Sequence, residues 1–346
     1  MFRIREATKD DNDALLHLEA QSPQGSGISL VIDREDYFYR SRINDDTKVM
    51  IGEEDDRLVG VMAYAVKTLY IDGEASRAAY FYDLRGEATY RRSMKRGLLR
   101  LWHETLSMIE EDGAAFIYGN VKADNYESLN ICSRVGAQIA GSFDIHTLPA
   151  LRGRVKPLDP HLDRLDDEIE RISDAVGMRT LRPVDFGAAY RRGHELGYLH
   201  GIYRIEERGS SAQVSAWDLS KIYRGRVLHM PVSLRALGVV LNPLATWLPL
   251  PSIPKIDQQI TYLQLFDPIC EGPRGRALMR RLLQQLRYNM HAAGVPIVTL
   301  FVYKDDALAD IPRFFPEEKL HYYTMIRPVH RSAVPDEPFY LDIRDI

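Results

Sequence analysis

Tyr80-Phe81-Tyr82-Asp83-Leu84, Tyr90-Arg91-Arg92-Ser93-Met94-Lys95-Arg96-Gly97, Ala115-Phe116-Ile117-Tyr118 and Asp124-Asn125-Tyr126-Glu127-Ser128 follow one another between residues 80 and 137, and this stretch decides the fold. The first segment reads as a strand and the second as a basic turn. Leu98, Leu99, Leu101, Trp102, Leu106 and Ile109 then recur near a 3.6-residue period, which predicts a long helix. The third segment reads as a buried strand, and the fourth as a polar turn opening another helix. A helix that starts from a basic turn presents unpaired backbone N–H groups and a positive dipole end. That arrangement suits a pyrophosphate.

Composition bounds the rest. The chain has 346 residues, enough for two domains, with 45% hydrophobic and 27% charged residues, as in an ordinary globular protein. A net charge of −4 gives no global excess of basic residues for nucleic acid or an anionic membrane, so neither partner is expected. Cys132 and Cys270 lie in different halves and form no metal or disulfide framework. A reduced, cytoplasmic setting is the expectation. The opening Met1-Phe2-Arg3-Ile4-Arg5-Glu6 shows no signal-peptide pattern, and no apolar run reaches the roughly 18 residues of a membrane span. The stretch from Val227 to Ile253, interrupted by four prolines, reads as strands and loops covering a core. Its Pro- and Leu-rich part, 231–254, is the place where a homodimer interface would form. The ten histidines show no ligand spacing, and no metal is expected.

The order strand, basic turn, helix, strand, polar turn, helix resembles the GCN5-related N-acetyltransferase (GNAT) family, whose members move an acyl group from acyl-CoA to an amine. The family pattern Gln/Arg-x-x-Gly-x-Gly/Ala falls here on Arg91 to Arg96. The first basic position matches, while Met94 and Arg96 stand where small residues are usual. A second pattern places Asn, a small residue, Tyr and Gly at fixed spacing. Asn125, Ser128 and Gly136 match it, with Cys132 in place of Tyr. The resemblance implies a mixed, mostly antiparallel α/β sheet flanked by helices. It also implies acetyl-CoA or another acyl-CoA as co-substrate and a small-molecule or peptide amine as acceptor.

The second half repeats the succession. Leu181 to Phe186 reads as a strand leading into a helix, and Gln259 to Phe266 as a later strand. Cys270-Glu271-Gly272-Pro273-Arg274-Gly275 forms a second basic turn, before a helix carrying Leu278, Leu282, Leu283 and Leu286 and a strand from Pro296 to Val302. The expected organisation is therefore a GNAT-like acyl-CoA-binding domain at 1–150 and a linker with a short charged helix at 151–176. A second, degenerate GNAT-like domain follows at 177–346. The alternative is one such domain followed by an unrelated α/β domain.

Direct acyl transfer needs a base, because an ammonium cannot attack a thioester. The resemblance implies that role for Asp83, on the strand before the basic turn. It implies the role of proton donor to the leaving thiolate for Cys132, whose competing reading is inert packing. The expected donor-binding residues are Leu84, whose backbone polarises the acyl carbonyl, with Arg85, Arg91, Arg92, Ser93, Met94, Lys95, Arg96 and Gly97 for the phosphates. Asn125 and Ser128 complete the set, although Asn125 also reads as a plain helix cap. The leading expectation is an N-acyltransferase, and the rival is a non-catalytic GNAT-fold protein that senses acyl-CoA or serves as a scaffold.

Overall fold

In the computed structural model the described residues are 2–21, 28–87, 91–245, 247–304, 306, 308–314, 318–329, 334–335 and 339–345, without the side chains of 91–95 and 313–314. The chain opens with β1 (Phe2–Glu6), α1 (Asn12–Ala20) and β2 (Ser29–Asp33), then β3 (Asp46–Glu54), β4 (Arg57–Ile71) and β5 (Glu74–Gly86). Both hairpin turns in this run have two consecutive residues at positive φ. They are Asp55 and Asp56, at 51° and 61°, and Asp72 and Gly73, at 52° and 82°. Such turns match the twist of the strands they join. Next come α2 (Arg91–Glu111), β6 (Phe116–Lys122), α3 (Tyr126–Arg134) and β7 (Gln138–Pro149).

The second half runs α4 (Leu165–Val176), α5 (Phe186–Glu195), β8 (Leu199–Glu207), β9 (Ser210–Trp217), β10 (Arg224–His229) and α6 (Val232–Ala245). It closes with β11 (Gln259–Ile260), β12 (Tyr262–Glu271), α7 (Gly275–Ala292), β13 (Ile297–Tyr303) and β14 (Glu318–Pro328). Two expectations change here. Residues 181–186 form no strand of their own; Thr180 and Pro183 make isolated bridges to Phe339 and Leu69 instead. The stretch 232–245 is a helix despite Pro243, not strands and loops.

Eleven strands form one sheet in the order β1-β3-β4-β5-β6-β14-β7-β13-β12-β9-β8. The order reads alike from either side of the β14–β7 pair. On each side a parallel pair, β5–β6 or β12–β13, borders an antiparallel set, and the last strand of each half lies next to the other half's parallel pair. The sheet is thus mixed and mostly antiparallel. Strands β11, β10 and β2 make a separate small sheet that joins the two halves.

Side-chain alternation along the strands sorts the cores. Met50, Met62, Tyr64 and Val66 face α2 with Leu101 and Trp102, while Val49, Ile51, Val61 and Ala63 face α1 with Leu15 and Leu18. On α7 the leucines 278, 282, 283 and 286 meet Val298, Leu300 and Val302. The opposite face of the same strands packs Phe143, Phe266 and Phe301 against α4 and α5. The charged helix of the predicted linker therefore buries Ile169 and Ile172 in this core.

Candidate active site

Strands β5 and β6 are paired only at Ala78–Phe116, Ala79–Ile117 and Tyr80–Tyr118. Beyond that point β5 runs on to Gly86 and β6 to Lys122 without pairing, so a V-shaped gap opens with its apex at Tyr80 and Tyr118. Gly119 sits just past the apex, where a Cβ would stand 2.8 Å from the Phe81 carbonyl oxygen. Only glycine permits that approach. Along one wall, Tyr82 pairs with Ala63 and Arg85 with Val61, so Asp83 and Leu84 together oppose Met62. This bulge puts Asp83 at φ 52° and takes backbone groups out of the ladder.

One side of the gap is lined by a buried cluster of charges and tyrosines. The Asp83 carboxylate accepts a hydrogen bond from Arg85 at 3.1 Å and lies 3.5 Å from the Arg34 guanidinium. Glu19 binds the same two arginines, at 2.7 Å from Arg34 and 3.0 Å from Arg85. Burial pushes the Asp83 carboxyl up, but Arg85, Arg34 and Arg40 outweigh it and hold the group well below the usual carboxylate range. Burial dominates at Glu19, whose carboxyl is raised. The Arg40 guanidinium stacks 4.5 Å from the Tyr82 ring, and Tyr82, Tyr80 and Tyr118 continue as a ladder with centroids 5.7 and 5.3 Å apart.

Residues 339–345 pack against this cluster. Thr180 bridges to Phe339, and Arg40 donates to the Arg344 carbonyl at 2.6 Å. Arg344 is also held by Asp185 and Asp342. Asp345 thereby reaches the apex of the gap. Its carboxylate accepts from Lys67 and, at 2.7 Å, from the Tyr118 hydroxyl, and its carbonyl accepts from Tyr80. Lys67 also bonds Asp342 at 3.0 Å. Burial raises the Asp345 carboxyl and neighbouring Asp342 adds to the rise, against the opposing Lys67 charge. Burial likewise pushes Asp342 up, but Arg344 and Lys67 overcome it and hold that carboxyl low.

The predicted site residues divide accordingly. Asp83 and Leu84 lie on the gap, but Asp83 is pinned as an anion by arginines, which makes it a poor proton acceptor. Arg85 is one of those arginines, nine-tenths buried and committed to Asp83 and Glu19 rather than to a phosphate. The basic run is not a turn before a helix, because α2 already begins at Arg91. Arg91, Arg92, Ser93, Met94 and Lys95 form its first turns, and their side chains lie outside the described residues. Arg96 is exposed, while Gly97 is buried against β1. A Cβ at Gly97 would meet the Phe2 ring at 2.6 Å, so this glycine lets helix and strand pack rather than admitting an anion. Asn125 caps α3 by accepting from the Ser128 N–H at 3.1 Å, the plain-cap geometry. Burial raises the Cys132 thiol, which weakens it as a proton donor. Glu19, Arg34, Arg40, Lys67 and Asp345 were not legible as site residues. Each is a single charge in an otherwise ordinary segment, and long-range folding alone brings them together.

A family profile described as Acetyltransferase (GNAT) domain matches residues 3–129, which span β1 through the start of α3 and so include the gap. The chain is similar to GNAT acetyltransferases over this first part. It is 28% identical over 286 residues, 76% of its length, to a protein of Oryza sativa subsp. japonica named "Acetyl transferase GW6a", and spans 65% of that relative's length. Two crystal structures of Saccharomyces cerevisiae N-myristoyltransferase with bound myristoyl-CoA share the fold over nearly the whole chain. One gives a TM-score of 0.60 at 9% identity, covering 96% of this chain and 84% of the yeast chain. The other gives 0.61 at 9% identity, covering 94% and 79%.

The GNAT features recur across the β14–β7 pair, in altered form. Strands β12 and β13 pair from Tyr262–Ile297 to Leu265–Leu300 and then part. Phe266 pairs with Ser215 and Ile269 with Gln213, so Asp267 and Pro268 oppose Val214 in a second bulge, with Asp267 again at φ 52°. Proline stands here in the place of Leu84 and has no N–H to offer an acyl oxygen. The turn before α7 is also occupied. Arg274 and Arg281 both bind Glu207 at 3.1 Å, Arg276 binds Asp310, and the Arg274 N–H donates to Ser210. A Cβ at Gly272 would strike the Gly209 carbonyl oxygen at 2.7 Å. The β8–β9 hairpin thus fills the ground that a phosphate would need.

Proposed function

We propose that this chain is an acyl-CoA-dependent N-acyltransferase whose donor lies in the β5–β6 gap. The observation that carries the reading is that gap, with its bulge at Asp83–Leu84 and α2 starting beyond it. The acyl-CoA pyrophosphate would meet the first N–H groups of α2 and the positive charge of Arg91, Arg92 and Lys95. The thioester carbonyl would accept from backbone N–H at the Leu84 bulge, so that the developing oxyanion is stabilised without a side chain. Acetyl-CoA is the proposed donor. The similarity to a protein named as an acetyltransferase supports that choice, and the fold shared with myristoyl-CoA-bound enzymes supports a CoA thioester in general.

The acceptor would enter from the face lined by Asp83 and the tyrosines and react as the neutral amine, since Arg34, Arg40 and Arg85 offset the Asp83 charge. Asp345 is the better proton acceptor of the two carboxylates, since burial raises it while arginines hold Asp83 low. The amine would attack the thioester carbon directly, giving amide and CoA thiolate, with the amine proton passing towards Asp345. Solvent would protonate the thiolate, because burial raises the Cys132 thiol and makes it a weaker donor. The two mirrored halves are read as two copies of the domain, 1–150 and 177–346, with the second serving to shape the acceptor side.

The test is thiol release from acetyl-CoA over a panel of amines and peptides, with wild type, Asp83→Asn and Asp345→Asn. Asp345→Asn should lower kcat at least tenfold and remove the alkaline-going limb of the pH profile. Asp83→Asn should leave that limb in place, because arginines hold the Asp83 carboxyl low. Donor binding without turnover on any amine would favour the acyl-CoA-sensing or scaffold reading.

A further inference from the structure

Helix α6 carries apolar residues on its outer face as well as its inner one. A surface helix normally directs its apolar stripe inward and its polar residues to solvent. Here Gly238, Asn242 and Ala245 lie on the inner face with Leu234, which packs against the cluster of Val227, Met230 and Ile260. Asn242 clamps the segment after the helix, donating to the Ile253 carbonyl at 2.9 Å and accepting from the Ile253 N–H at 2.7 Å. The outer face carries Val232 and Val239, both 77% exposed, with Val240, Leu237 and Leu244, and Trp247 follows at 80%. Isolated exposed apolar residues need no explanation, but a contiguous patch of this kind marks a binding surface.

The charge around the patch identifies what it binds. From Leu219 to Ile256 there is no Asp or Glu, although the chain as a whole carries −4. The same span holds Lys221, Arg224, Arg226, Arg235 and Lys255. Arg226 is paired with Asp33, whereas Arg235 and Lys255 are exposed and make no ion pair among the described residues. An isologous contact between two copies would set these positive rims against each other. An anionic lipid surface would not. At 14 residues α6 is too short to cross a bilayer, and no helix among the described residues is long and apolar enough to do so. A short helix with apolar residues on one face, basic residues at its margin and an exposed Trp suits the plane of the membrane interface.

We infer that the outer face of α6, with Trp247, docks this protein peripherally on an anionic membrane surface. This local surface overrides the expectation of no membrane partner drawn from net charge. The test uses the full chain with vesicles of phosphatidylcholine, with and without about 30% phosphatidylserine. Of the three tryptophans, Trp102 and Trp217 are buried, so a vesicle-induced blue shift reports Trp247. The protein should bind the anionic vesicles with that shift. Arg235→Glu should weaken binding about tenfold or more, and Val239→Ser/Trp247→Ser should abolish it. Trp247→Phe should bind while losing the shift. Failure to bind either vesicle, or equal binding to both, would overturn the inference. So would elution as a dimer that Val239→Ser/Trp247→Ser converts to monomer, which would make the patch a self-interface.

Discussion

Lys67→Met isolates the device that holds the end of the chain in the gap. The Lys67 side chain is 4% exposed and meets Asp342 and Asp345, each 3% exposed. Removing it leaves two buried carboxylates deprived of a shared cation, with Asp342 still compensated by Arg344 at 2.8 Å. Breaking a buried ion pair from one side costs roughly 3–5 kcal/mol, because the remaining charge is stranded. Urea unfolding at pH 7.5 should show a loss of that size. The loss should shrink as pH is lowered, because the Asp345 carboxyl, already raised by burial, takes up a proton and no longer needs the ammonium. Asp345→Asn in the Lys67→Met background should recover about 1–3 kcal/mol as a coupling energy, since a neutral amide replaces the stranded charge. A loss below about 1 kcal/mol, or a double variant equal to the sum of the singles, would refute the argument.

Three further outcomes follow from the same geometry. Gly97→Ala should cost about 1–3 kcal/mol by overpacking against Phe2, read by chemical denaturation, and Phe2→Ala in the same chain should relieve the clash. Asp267 is pushed up by burial to about 6 from 3.8, so the folded state binds its proton more tightly. Stability should therefore fall as pH rises through that window, by up to about 3 kcal/mol, and Asp267→Asn should flatten thermal midpoints measured between those limits. Glu207→Gln should weaken stability by no more than about 1 kcal/mol in denaturation, and should create no new acetyl-CoA site, because Pro268 still lacks the amide.

The sequence made the first half legible where local patterns are strong. The apolar run 58–64 beside its acidic turn, the Asp-Gly turn at 72–73 and the period of Leu98 to Ile109 each specify their element without help from elsewhere. The exchange of β14 and β7 across the sheet was beyond that reading, since pairing between strands nearly two hundred residues apart leaves no local mark. Gln259–Phe266 alternates well enough to read as one strand, yet divides between two sheets near Thr261. The apolar run after Val227 was read as strands because of its prolines, but Pro243 lies close to the end of α6 and tolerates the helix. At the candidate site, Asp83 and Leu84 were legible from their strand. The charges that tune it, Arg34, Arg40 and Lys67, come from segments with no signature. The pinning of Asp83 in particular depends on Arg34, forty-nine positions away.

Calorimetric titration of acetyl-CoA tests the central claim most directly, on wild type, Arg91→Glu/Arg92→Glu and Arg274→Glu/Arg276→Glu. The account predicts one donor site, lost in the first variant and retained in the second. Binding that survives reversal at 91 and 92 but fails at 274 and 276 would contradict it, and would move the donor to the second half.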